Sequence, residues 1–216
     1  SYARRHPMRG YGPRFLRLLV TAGYAPYNGF GNGAARRVSP VAHAFETEQE
    51  VLDEAARTAE CTHNHPEGVK GAQATALAVF LARIGQDKEA IRSTIQDRFG
   101  YDLSRTTDAI RPEYSTDITC QGSVPEAIIA FLDSTSFEDA VRNAVSLGGD
   151  ADTQACIAGA IAEAYYKTIP TAILEQIPQR LSKDLWQKTL EFYRRHGIRD
   201  IGEQLESLGV ERPDGP

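Results

Sequence analysis

Asp150, Asp152 and Thr153 set two carboxylates and a hydroxyl within four residues, directly after Gly148 and Gly149, in the stretch SLGGDADTQACIAGAIAEAYY (146–166). Paired glycines let the chain bend through backbone angles closed to other residues. The run that follows is apolar on nearly every side except at Glu163, which predicts a buried helix with the acids in its first turn. An oxygen-only cluster on such a support suits a hard divalent cation. Mg²⁺ in particular takes one or two carboxylates, keeps several waters and leaves room for substrate oxygens. The same residues also read as an ordinary capped helix with acids meeting the positive end of its dipole, and spacing alone does not separate the two readings. An EF-hand is excluded, because no further acids follow at the loop spacing and no Glu closes it.

A second group lies in PYNGFGNGAARRVSPVAHAF (26–45), where Gly29, Gly31 and Gly33 alternate with Phe30 and Asn32 and run into a helical segment. Such a turn presents bare backbone N–H groups, the usual means of holding a phosphate or a ribose oxygen. It is not GxGxxG and no strand precedes it, so a dinucleotide-binding Rossmann reading fails. Phe30 could stack on a base or plug the core. His63 and His65 stand two apart in a connecting loop, and without a third His or Cys nearby they make a poor zinc site. A loop histidine that donates to a bound phosphate or hydroxyl fits them better.

These residues need rigid elements behind them, and the apolar periodicity supplies helices. It predicts them over about 15–20, 48–60, 69–83, 88–99, 137–147, 171–177, 182–195 and 202–208. Thr47 with Glu50, and Ser123 with Glu126, read as capping boxes, the second opening the apolar run AIIAFL. On this reading Pro66 closes the helix before it, and 100–122 is a long irregular stretch. Trp186, Leu190 and Tyr193 share a face and should pack in the core. Strand alternation is lacking throughout, so the expected fold is all-α, a compact helical bundle.

Composition narrows the function classes. A charge of -5, with 41% hydrophobic and 25% charged residues, describes a globular protein and disfavours nucleic acid as a partner. The chain has neither an apolar run of membrane length nor a secretory h-region, so no membrane is expected as partner and a cytoplasmic location is expected. Cys61, Cys120 and Cys156 are far apart with no metal spacing, and read as buried free thiols.

Four of these stretches, YNGFGNGAARRVSPV, THNHPEGVKGAQATALAVFLAR, CQGSVPEAIIAFL and RNAVSLGGDADTQACIAGAIAEAYY, occur in an order that resembles the ADP-ribosyl-glycohydrolase family, the group including the dinitrogenase-reductase-activating glycohydrolase. The resemblance implies an orthogonal helical bundle with a two-magnesium site, hydrolysis of the bond between ADP-ribose and an acceptor, and release of ADP-ribose. The acceptor would belong to an ADP-ribosylated protein or a small molecule. It also implies that Asp150, Asp152 and Thr153 are metal ligands, and that Gly29, Phe30, Gly31, Asn32 and His63 bind substrate, with Phe30 facing the adenine. Relatives of this kind carry a Thr-Asp-Asp-Thr segment nearer their N-terminus, with the other metal ligands and a catalytic acid. No Asp-Asp pair occurs here, and the first acid is Glu46. The resemblance therefore implies one N-terminally incomplete domain over 1–210, a disordered tail over 211–216 and a catalytic group outside the chain. The alternative is a catalytically inactive relative that binds ADP-ribose or serves a structural role.

Overall fold

Thr47 opens the helix Glu48–Glu60 as the sequence predicts, its hydroxyl accepting from the Glu50 N–H while the Glu50 carboxylate accepts from the Thr47 N–H. The computed structural model describes residues 2–5, 11–20 and 25–207. In chain order these form α1 (Tyr2–Arg5), α2 (Pro13–Val20), a 3-10 turn (Ala35–Arg37), α3 (Ser39–Ala44), α4 (Glu48–Glu60), α5 (Pro66–Arg83), α6 (Lys88–Phe99) and α7 (Thr107–Ile110). They continue with α8 (Cys120–Leu132), α9 (Phe137–Ser146), α10 (Ala151–Tyr166), α11 (Thr171–Leu174), α12 (Ile177–Arg180), α13 (Lys183–Arg195) and α14 (Arg199–Ser207). The fold is all-α. Among the described residues the one extended pairing is an isolated antiparallel bridge between Gly31 and Thr119. The tail expected to be disordered, 211–216, lies outside the described residues.

The core is built on α5, α8 and α10. Gly71, Ala72, Ala74, Ala76, Ala78 and Ala82 keep α5 thin, so neighbouring helices close over it from several sides. It is therefore buried on nearly every side rather than along one face, and Ile84 at its C-cap is 49% exposed. Ile128, Ile129 and Phe131 of α8 are fully buried, as are Ile157 and Ile161 of α10. Unlike α5, α10 leaves a stripe uncovered at Asp152 and Cys156. Cys61 is likewise exposed, so only Cys120 is the buried thiol expected of all three. Trp186, Leu174, Ile169, Ile201 and Leu205 form a second, smaller cluster, with Leu190 and Tyr193 packed against it.

Among the helix boundaries that differ from the sequence reading, three have a clear local reason. Pro66 begins α5 instead of ending α4, because its missing N–H costs nothing in a first turn, and the His65 ring caps the helix by accepting from the Glu67 N–H. Thr119, not Ser123, caps α8: its hydroxyl accepts from the Gly122 N–H at 3.2 Å, and Ser123 lies inside the helix, donating back to the Thr119 carbonyl at 2.5 Å. Glu126 is consequently no capping residue. It is buried and takes a hydrogen bond from Arg105 at 2.7 Å. Finally, 171–177 is broken into α11 and α12, with Pro178 in the first turn of α12.

Candidate functional site

The glycine loop is fixed to the start of α8 by two backbone hydrogen bonds. Asn32 donates to the Ile118 carbonyl and Cys120 donates to the Phe30 carbonyl, both at 2.9 Å. The loop is also pressed onto α5. A side chain at Gly68 would come within 2.6 Å of the Gly29 carbonyl oxygen and 2.8 Å of that of His63, so only glycine lets the loop and the helix start meet. Asn32 then reaches across the molecule. Its amide nitrogen donates to Ser123 Oγ at 3.1 Å and to Asp150 Oδ2 at 2.7 Å, with the residue only 6% exposed. The two chemically suggestive stretches, 118 residues apart in sequence, are thus one site.

His63 lies against this loop. Its ring faces Gly29, Gly31 and Gly33, each close enough that an added Cβ would stand within 3.6 Å of a ring atom. Nδ1 is hydrogen-bonded with Thr62 Oγ1 at 2.7 Å, and Arg37 donates to the same hydroxyl at 2.9 Å. Burial, with Arg37 and Arg36 nearby, lowers the His63 pKa from 6.5 to about 4, so the ring is neutral near pH 7. With Nδ1 engaged, Nε2 is the nitrogen turned toward Gly31 and Gly33. Phe30 projects outward at 39% exposure and meets His65 edge to face, the ring centroids 5.3 Å apart. It does not plug the core and is free to meet a ligand at the surface.

The acid turn is shaped for something other than helix capping. Gly148 adopts φ +76, and Asp150 occupies the N-cap of α10 with no side-chain capping bond. One carboxylate oxygen of Asp150 is held by Asn32 instead. The Asp152 side chain is 81% exposed and pairs loosely with Arg36 at 3.8 Å. A hydrogen bond with the Asp150 carboxyl holds Asp152 below the ordinary carboxylate range, against the cost of its partial burial. Thr153 is fully buried, and its hydroxyl has no partner among the described residues. Buried hydroxyls are seldom left unpaired, and a cation held by the two carboxylates is one partner that would satisfy it. Two carboxylates and an orphaned hydroxyl, with no sulfur or nitrogen ligand among them, fit Mg²⁺ better than a softer metal.

Other residues hold this arrangement without having stood out in the sequence. The ring of Tyr114 occupies the space where Gly149 would carry a side chain, with Cε1 2.2 Å from the ideal Cβ position, and its hydroxyl donates to the Gly122 carbonyl at 2.7 Å. Tyr114 falls in the stretch expected to be irregular, where periodicity gives no warning. Ser123 was legible as a polar residue before an apolar run, but its role is to hold Asn32. Electrostatically, α5, α8 and α10 all begin against the loop at 29–33, so three helix N-termini face one region and favour an anionic ligand there.

Known proteins agree with this architecture. The family model for ADP-ribosylglycohydrolase matches residues 1–208. ADP-ribosylhydrolase ARH3 of Bos taurus is 29% identical over 254 aligned residues, which cover 90% of this chain and 67% of that protein. The Homo sapiens ARH3 shows the same identity and coverage. The chain thus spans about two thirds of the length of these relatives. A solved structure described as an ADP-ribosylglycohydrolase-related protein complex superposes with a TM-score of 0.67 at 27% identity, covering 94% of this chain and 72% of that one. With a family match over nearly its whole length and the same fold in a solved relative, the chain belongs to the ADP-ribosylglycohydrolase family, hydrolases that act on glycosyl bonds.

Proposed function

We propose that this chain carries the ADP-ribose pocket and one half of a magnesium site, and that the protein hydrolyses the glycosidic bond between ADP-ribose and an acceptor on a protein or small molecule. The observation that carries the reading is the 2.7 Å hydrogen bond from Asn32 to Asp150, which joins a phosphate-type glycine loop to a cation-type acid turn. The loop's backbone N–H groups and three helix N-termini suit a diphosphate. Phe30 offers an exposed ring to the adenine, and neutral His63 offers a ring nitrogen beside the loop. Asp150, Asp152 and Thr153 would hold the cation. When bound, a divalent cation there supplies fixed positive charge against sugar oxygens. Asn32 keeps one Asp150 oxygen in place and so limits the directions from which the carboxylate can bind. The group that protonates the leaving acceptor or activates water is not among the residues assigned here. The exposed thiols of Cys61 and Cys156 suit the reducing cytoplasm.

The test is an assay of ADP-ribose release from an ADP-ribosylated substrate, with Mg²⁺ and with EDTA, on the intact protein and on Asp150→Asn. Release that needs Mg²⁺ and is lost in the variant supports hydrolysis. Binding of ADP-ribose without release transfers the reading to an ADP-ribose-binding relative, and absence of both removes it.

A further inference from the structure

Glu163 sits on α10 about 16 Å from Asp152, eleven residues at a rise of about 1.5 Å each, and takes no part in the site above. It is half-buried between α10 and α13, and its Oε1 accepts a hydrogen bond from the Tyr193 hydroxyl at 2.5 Å. Its other oxygen has no hydrogen bond and its carboxylate no ion pair among the described residues. Burial pushes this carboxyl above the ordinary range, and the Tyr193 hydrogen bond opposes that only in part.

Three cavities meet at this side chain. Two, of about 330 and 350 Å³, are lined by basic residues as well, Lys188 in one and Arg83 and Lys167 in the other. The third, of about 240 Å³, has no Lys, Arg or His among its described lining residues. Its walls are mostly aliphatic, with the rings of Phe137, Trp186 and Tyr193 among them, Gly159 leaving space on α10 and Thr189 adding a hydroxyl. A carboxylate without an ion pair among the described residues, at the edge of an apolar chamber that holds no basic residue and is somewhat smaller than most ligand pockets, has the chemistry that recognises a small cation with an apolar body.

We propose that the chamber between α10 and α13 binds a small organic ammonium ion, its charged end on Glu163 and its hydrocarbon against Phe137 and Trp186. The site is separate from the ADP-ribose pocket, and its occupation does not depend on the proposed hydrolysis. Trp186 is the chain's only tryptophan, so its emission reports on the chamber directly.

The experiment is calorimetric titration of the full chain with n-butylammonium chloride and with 1-butanol at constant ionic strength, following Trp186 emission in parallel. Saturable binding of the amine about tenfold or more tighter than the alcohol, with a change in Trp186 emission and loss in Glu163→Gln, is the expected result. Equal binding of amine and alcohol, no binding of the amine, binding that leaves Trp186 emission unchanged, or binding unaltered by Glu163→Gln overturns the proposal. Should the variant fail to fold, the comparison of amine with alcohol on the unmodified chain decides alone.

Discussion

At the scale of single residues, Asp152 serves the site alone, whereas His63 serves the site and the fold together. Asp152 is largely exposed, and its ion pair with Arg36 at 3.8 Å is the loose surface kind that contributes little. Asp152→Ala should therefore change thermal stability by no more than about 0.5 kcal/mol while abolishing Mg²⁺-dependent release of ADP-ribose. Gross unfolding of that variant would sink the metal assignment. His63 also contributes to stability. Its folded pKa of about 4 lies below the unfolded 6.5, as does that of the half-buried His43, so the unfolded chain binds more protons between those values. The stability these two rings contribute is complete above about pH 6.5 and is lost as pH falls toward 4. Denaturant titrations across that window should show a loss on the order of 1 kcal/mol per ring, and His63→Gln should flatten part of the slope. A profile that is flat from pH 7 to 4 contradicts the neutral, enclosed ring.

At the scale of elements, the acid turn depends on a neighbour distant in sequence. Gly149 has no side chain because the Tyr114 ring lies there, and Tyr114 is itself anchored to the start of α8. Gly149→Ala should destabilise the chain by about 1–3 kcal/mol through overpacking. Tyr114→Ala opens that space, so the double variant should be more stable than the sum of the single effects predicts, a coupling that a double-mutant cycle measures. Strict additivity would mean the two do not touch. Much at this scale was legible beforehand. Helices α4, α6 and α9 lie within a residue of the spans that periodicity predicts, 48–60, 88–99 and 137–147, and each is capped by the side chain just before it, Thr47, Asp87 and Ser136. Where the reading failed, two local signals competed. Ser123 with Glu126 has the spacing of a capping box, but Thr119 caps one turn earlier, and its backbone neighbours Ile118 and Cys120 are already bonded to the glycine loop. Contacts such as Asn32 to Asp150 and Tyr114 to Gly149 span the chain, and spacing within one stretch carries no trace of them.

At the scale of the molecule, the chain divides its apolar burial unequally. A large core surrounds α5, α8 and α10, and a small one gathers Ile169, Leu174, Trp186, Ile201 and Leu205. The smaller cluster buries less surface and should open first. In urea, the Trp186 emission transition should precede the far-UV circular dichroism transition, whereas coincident curves would make the chain one cooperative unit. The all-α fold was readable from helical periodicity and the lack of strand alternation. The separate C-terminal cluster was not, since its helices carry the same amphipathic pattern as the rest.

The central claim is that the glycine loop and the acid turn, joined through Asn32, form one pocket for ADP-ribose with a cation at its end. Titration of the full chain with ADP-ribose, with Mg²⁺ present and after its removal by EDTA, tests this most directly. Mg²⁺ alone should bind weakly, since it sheds its waters reluctantly and two carboxylates and a hydroxyl leave half of its octahedron to water. ADP-ribose should bind in its presence and weaken by about tenfold or more on its removal or in Asp152→Ala. Absence of ADP-ribose binding, or binding indifferent to both Mg²⁺ and Asp152, would contradict the account.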